Sequence, residues 1–304
     1  MSCAGFLQSL ACFFSGPMRF KTRISNLPTL SRLAQSLDRI GKFCWIRLMP
    51  ETVNFVVIPE FKTTQVWAVV EIETVFEDYI VQSNAENVIN LEVPTANLYK
   101  ALRSATNAAH ATLRLTKQNN QAILSLSTTW SGRAFGSNIV THNIAVKVLS
   151  HNYVSLVKEP TVPEPNCHIF LPPLNVMKAV VDRYRSMSDR IIFSANMAGE
   201  LELAICTPAA KIKTRWSNLQ NPELDPSQVQ DVSQHPSQMR EPHEFVEMRL
   251  DSREFSNILL VSNVSRKVIA CLCEGHALVL YVYITDPEDE HTAVLTYYMS
   301  TFLD

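Results

Sequence analysis

The sequence predicts an α+β fold made of two similar domains, each with two helices packed on antiparallel sheets. Three observations predict it. Residues 94–101 read PTANLYKA and residues 172–179 read PPLNVMKA, with Pro, Asn and Lys-Ala in the same register. Each copy follows a strand-like stretch (Val88 to Val93; Cys167 to Leu171), opens a helical pattern and gives way to alternating apolar runs. The length, 304 residues, suits two domains of roughly 150 residues better than one core.

The elements follow in order. Residues 1–17 are an apolar start containing Phe6, Leu7, Leu10, Phe13 and Phe14. The run is too short to span a bilayer and lacks the basic opening of a secretory signal. It reads as a disordered extension ahead of Met18. No other segment is expected to cross a membrane. Met18 to Arg23 reads as a strand, Pro28 to Ile40 as a helix, and Phe43 to Met49, Val53 to Ile58 and Gln65 to Glu71 as strands. The helix from Pro94 uses proline in a first turn, where the missing N–H would be unpaired anyway. His110 to Thr116, Gln121 to Thr129 and Ile139 to Val148 are strands after it.

Residues 149–166 carry LVKEPTVPEP, whose prolines and acids predict an extended linker between domains 18–148 and 167–304. In the second domain the helix from Pro172 precedes strands Asp189 to Asn196, Glu200 to Cys206 and Ala209 to Trp216. The stretch 218–242, rich in Pro, Gln, Ser and Asp, reads as a mobile, variable loop. Strand Glu244 to Leu250, helix Ser252 to Ser262 and strands Lys267 to Cys273, Ala277 to Ile284 and His291 to Tyr298 complete the chain.

The helix wheels separate an apolar stripe from a basic one. In the first helix Leu30, Leu33, Ala34 and Leu37 pack, with Arg32 and Arg39 pointing away. In the second, Leu98, Ala101, Leu102 and Ala105 pack, opposite Lys100 and Arg103. In the third, Val176, Ala179, Val180 and Met187 pack, and Lys178 and Arg185 lie opposite beside Asp182. In the fourth, Phe255, Ile258 and Leu259 pack and Arg253 points away, while Leu260 and Val261 stand where polar residues are expected. Lys plus Arg is 27 against 29 Asp plus Glu, a formal net charge of -2. Tight, autonomous, sequence-specific binding of nucleic acid is therefore disfavoured, but cations gathered on one face create a local field that the total conceals. Such a face contacts phosphates without reading bases.

Chemistry is sparse. Seven scattered cysteines suit a reducing compartment and give no disulfide framework. Cys271 and Cys273 lie in a strand with no second cysteine pair, so no metal is expected. Asp286, Glu288, Asp289 and Glu290 form a turn between strands, whereas two-metal sites gather acids from separate rigid elements. His142 and Ser150 lack a carboxylate partner in sequence. Gly132 to Gly136 is a turn and does not fit a phosphate-binding GxxxxGK[ST] loop. No enzyme and no cofactor are expected.

Four segments carry a family resemblance: MRFKTRISN (Met18 to Asn26), IVTHNIAVKVL (Ile139 to Leu149), EPTVPEP (Glu159 to Pro165) and IFLPPLNVMKAVV (Ile169 to Val181). Over about residues 18–304 the chain resembles the hydroxyurea-sensitivity checkpoint clamp subunits, PCNA-like chains of the heterotrimeric nine-one-one sliding clamp. That resemblance implies a nuclear, non-catalytic subunit of a ring that encircles DNA in the damage checkpoint. It implies two other PCNA-like subunits, an ATP-dependent clamp loader, double-stranded or recessed-end DNA bound without base specificity, and checkpoint and repair proteins as partners. Arg32, Arg39, Lys100, Arg103, Lys178, Arg185 and Arg253 become candidates to face the DNA channel. The strands holding Ala111, Leu113, Leu115 and Thr116, and Ile191, Phe193 and Asn196, become the subunit edges. Tyr153, Val154 and Leu156 become a partner-docking surface near the linker.

Overall fold

The structure is a computed structural model that describes residues 18–60, 64–132, 136–154, 157–223, 234–263, 265–284 and 293–302. Residues 1–17, Leu156, the acidic turn at 286–290 and the middle of the 132–136 turn lie outside the described residues.

The chain opens with β1 (Arg19–Ile24), whose side chains alternate between solvent and core, and α1 (Leu27–Ile40). Asn26 caps α1 by accepting from the Thr29 amide, satisfying one orphan N–H of the first turn. Gly41 ends it by donating to the Leu37 carbonyl, and a Cβ there would come within 2.6 Å of Val57. Next come β2 (Phe43–Leu48), β3 (Thr52–Val57), β4 (Gln65–Glu71), α2 (Ile72–Val75), β5 (Phe76–Gln82), β6 (Ile89–Pro94), α3 (Thr95–Ser104), β7 (His110–Gln118), β8 (Gln121–Gly132), β9 (Gly136–Ala145), β10 (Lys147–Leu149) and α4 (His151–Val154). The second half holds β11 (Cys167–Phe170), α5 (Leu174–Tyr184), β12 (Arg190–Ala195), β13 (Leu201–Cys206), β14 (Lys211–Trp216), α6 (Pro236–Met239), β15 (Val246–Asp251), α7 (Ser252–Ile258), β16 (Lys267–Cys273), β17 (Ala277–Tyr283) and β18 (Ala293–Ser300). A 3-10 turn, Leu259–Asn263, continues α7 and buries Val261, which explains the apolar residues at its end.

Among the described residues three antiparallel sheets form, ordered β5-β1-β7-β8-β9, β10-β6-β2-β3-β4-β18-β17-β16-β11 and β14-β13-β12-β15. The middle sheet runs through both halves because β18 pairs with β4, from Ala293↔Val70 to Tyr298↔Gln65. One core continues from Phe20 to Met299. The expected strand Ile139 to Val148 divides in two: β9 stays in the first sheet, and β10 crosses to pair with β6.

The expected loop 218–242 is pinned at both ends. The Leu219 amide donates to Gly199, which adopts φ +76 in the β12–β13 turn, where a Cβ would lie 2.2 Å from the Leu219 carbonyl oxygen. The Phe170 amide donates to Gln220, and the Asn221 side chain to the His168 carbonyl. After residues outside the description, His235 is again buried and caps α6.

Candidate nucleic-acid interface

The helices stand in one row. α3 packs on α1, α1 on α7, and α7 on α5, so each leaves one side free of its neighbours. In α1, Leu30, Leu33, Ala34 and Leu37 are buried, and Arg32 and Arg39 are exposed. In α3, Leu98, Ala101 and Leu102 are buried, followed by Ala105, while Lys100 and Arg103 are exposed. The Arg103 guanidinium lies 5.4 Å from the Tyr99 ring centre. Arg253 on α7 is exposed and bonds the Asp189 carboxylate at 3.0 Å.

α5 departs from the wheel. Its buried residues are Leu174, Met177, Val181 and Tyr184; Val176, Ala179 and Met187 are exposed. The helix is rotated because burying Met177 and Tyr184 removes more apolar surface than burying Val176 and Ala179. The Tyr184 hydroxyl is within 2.7 Å of the Thr214 hydroxyl, so its polar end is satisfied. Lys178 and Arg185 therefore do not oppose the core. Lys178 pairs with Asp182 at 2.5 Å, Ser256 of α7 donates to the same carboxylate at 2.6 Å, and Arg185 reaches both Asp182 and Ser256. Burial pushes the Asp182 carboxyl up, but hydrogen bonds from Lys178 and Ser256 and the charges of Lys178 and Arg185 outweigh it and hold the group below its ordinary value. Arg183, which the wheel passed over, is exposed on α5, and Arg185 at the helix C-cap is exposed as well.

The strands expected to be subunit edges are interior. β7, with Ala111, Leu113, Leu115 and Thr116, lies between β1 and β8. β12, with Ile191 and Phe193, lies between β13 and β15, and Asn196 just beyond it is fully buried. Both sit beside the core because their alternate side chains are apolar (Ala111, Leu113; Ile191, Phe193, Ala195), which a free edge does not require. The first sheet ends on β5 and β9. β5 meets β1 through a register shift and has Asp78 at φ 50, whereas β9 exposes Ile139 (70%) and Val140 (42%). The third sheet ends on β14 and β15. The Phe302 amide and the Thr301 hydroxyl both donate to the Arg249 carbonyl, covering part of β15; β14 is uncovered by any described strand. Lys213 and Arg215 of β14 pair with Glu202 on β13.

The linker crosses the middle sheet. Over the second half it is fastened: the Tyr298 hydroxyl donates to Glu159 at 2.8 Å, the Cys273 thiol to the Pro163 carbonyl, and the Glu274 amide to Asn166. Val162 packs on Cys273, Val279 and Tyr298. Over the first half, half-exposed Tyr153 sets its ring 5.5 Å from Trp45, and Val154 and Val157 overhang Trp45, Arg47, Asn54, Trp67 and Asn90.

Burial pushes the thiols of Cys44, Cys167 and Cys271 up to about 12, so they stay protonated and weakly nucleophilic. Among the described residues, no three His, Cys, Asp or Glu side chains gather as metal ligands. His142 Nε2 lies 2.8 Å from Ser104 Oγ, which joins β9 to α3. Ser150 Oγ accepts from the Tyr153 amide at the start of α4.

A family model described as "Hus1-like protein" matches residues 18–302. The "Checkpoint protein hus1" of Schizosaccharomyces pombe is 71% identical over 287 residues, which are 94% of this chain and 100% of that protein. The human "Checkpoint protein HUS1" is 28% identical over 261 residues, 84% of this chain and 90% of that one. Proliferating cellular nuclear antigen from Entamoeba histolytica, a solved structure, shares the fold with a TM-score of 0.69 at 14% identity, over 93% of this chain and 99% of that one. The chain belongs to the Hus1-like protein family and is a non-catalytic checkpoint clamp subunit with a PCNA-like fold.

Proposed function

We propose that this chain is one arc of a three-chain ring, closed with two other PCNA-like subunits, whose helical row faces an enclosed DNA duplex. The observation that carries the reading is the row α3–α1–α7–α5, with Arg32, Arg39, Lys100 and Arg103 exposed along its first half and Arg183 and Arg253 along its second. In a chain of net charge -2, this row of cations supports contact with phosphates without base reading. The joints to the neighbouring subunits are β9 and β14, the edges that no bulge or chain end blunts. A free edge is a hazard alone and a joint in a ring. Domains 18–148 and 167–304 form the two halves of the arc. Such a closed ring needs an ATP-dependent loader to reach recessed-end DNA, and it works in the nucleus. Checkpoint and repair proteins dock near Tyr153, Val154 and Leu156.

The test is equilibrium binding of the assembled complex to linear duplex DNA, whose open ends let a ring slide off, as salt is raised. Replacing Arg32, Arg39, Lys100 and Arg103 with Gln is expected to flatten the salt dependence by about 0.9 per lost phosphate contact, equally on any sequence. Unchanged salt dependence in a complex that still assembles would sink the channel assignment and leave a scaffold that does not touch DNA.

A further inference from the structure

β11 ends the nine-stranded sheet, but its outer edge is not left open. The Phe170 amide donates to the Gln220 carbonyl at 2.9 Å, and the Asn221 carboxamide bridges the carbonyls of His168 (2.7 Å) and Asn196 (3.3 Å). Residues 219–222 thus form a strap over the edge. Two buried imidazoles lie beside it. His168 on β11 and His235 at the start of α6 are each 3% exposed, with ring centres 6.0 Å apart and planes at 77°. His235 is committed as an acceptor: the Ser237 amide donates to its Nδ1, and the Ser237 hydroxyl lies 2.8 Å from the same atom. Both ring nitrogens of His168 are buried without a hydrogen-bond partner. Burying a neutral ring in that state is costly, and burying it charged costs far more.

We infer that the pair is an acid-sensitive latch: while both rings are neutral it holds the strap and α6 against β11, and a proton on either ring releases them. None of these residues belongs to the helical row or to the linker. The surroundings of the rings favour the neutral form. Burial and the neighbouring His235 both disfavour a charged His168, while the Pro222 backbone favours it without closing a hydrogen bond. Cys271, beside His168 in register on β16, is a buried thiol that stays protonated, and Arg240, which follows α6, is closed by Glu244 and Glu274. Among the described residues no carboxylate acts on the His168 ring. A proton on Nδ1 of His235 would take the lone pair that caps α6. His168 is held below its ordinary 6.5, so the latch is complete above pH 6.5 and is lost as the pH falls from there through the lower folded value. Release leaves the Phe170 N–H and the His168 carbonyl unpaired on a sheet edge, the form of strand that a further chain can join.

The test is amide hydrogen exchange of the full chain, read by NMR at Phe170 and Leu219, with Leu280 of β17 as the control. Between about pH 7.5 and about pH 5.5 the protection factors of Phe170 and Leu219 are expected to drop about tenfold, the response of one imidazole that titrates at its ordinary value once released. That of Leu280 is expected to hold. His168→Leu keeps an apolar filling and removes the proton site, so its strap is expected to stay protected at both pH values. A second readout needs no variant: the nitrogen shifts of the His168 ring are expected to report a neutral ring at the higher pH, with the proton taken up in step with the loss of protection. Equal protection at both pH values would overturn the latch, as would an undiminished drop in His168→Leu or a His168 ring already charged at the higher pH. A drop shared by Leu280 would report general acid unfolding and overturn it too.

Discussion

The helix pair of the first half and that of the second are joined by different chemistry. α1 and α3 meet through leucine and alanine, and their charges point outward. α5 and α7 are tied by the Lys178–Asp182–Ser256–Arg185 network, which pairs two cations with one carboxylate. The source of the difference is one residue of register. α3 begins at Thr95 behind Pro94, but α5 begins at Leu174 behind Pro173, not Pro172. The PTANLYKA and PPLNVMKA segments therefore match in sequence and are offset by one position in structure. Leu98 corresponds to Met177, Leu102 to Val181 and Lys100 to Ala179. An offset of one residue turns a helix by about 100°, which carries a basic position onto a different face. A motif repeat thus locates a helix far better than it orients one.

Three experiments break or sharpen this comparison. The largest effect belongs to the cores. Leu33→Ala in α1, a 1% exposed site, is expected to cost about 2–5 kcal/mol in urea unfolding, while Val176→Ala in α5 stays within about 0.5 kcal/mol. A cost above about 1 kcal/mol at Val176 would restore the wheel and undo the offset. Next comes the network. The Asp182 carboxyl is depressed in the fold, so its stabilising contribution is complete above its ordinary value of 3.8 and disappears as pH falls through the lower folded value. Asp182→Asn lacks that component. The gap between variant and wild-type melting temperatures is expected to be widest near neutrality and to shrink below pH 3.8, whereas a constant gap would show that the carboxylate carries no charge-dependent role. The smallest effect is a gain. Ala179→Lys puts a cation at the counterpart of Lys100, and is expected to steepen the salt dependence of binding to linear duplex DNA by about 0.9 if α5 faces the duplex.

Much of the fold was legible because alternation and helical spacing report burial directly. β1, β2, β3 and β13 lie where the alternating runs put them, and the leucine stripes of α1 and α3 are the buried ones. What escaped were features that depend on neighbours far away in sequence. Ala111 and Ile191 read equally well as edge or interior strands, because alternation says which face is buried but not whether both flanks are paired. β10 leaves the run of β9 after one residue, Val146, and nothing in THNIAVKV announces a change of sheet. The site divided similarly. Arg32, Arg39, Lys100 and Arg103 are exposed as their spacing indicates, while Arg183 was hidden by the one-residue offset.

The pairing of β18 with β4 has a mechanical consequence. Separating the two halves of the chain would mean unzipping the centre of the nine-stranded sheet, together with a core that runs beneath it without interruption. The arc therefore behaves as a single stiff beam. In the proposed ring, a gap for DNA would therefore open at the seams between chains, and a loader would spend its work there and not on bending this chain.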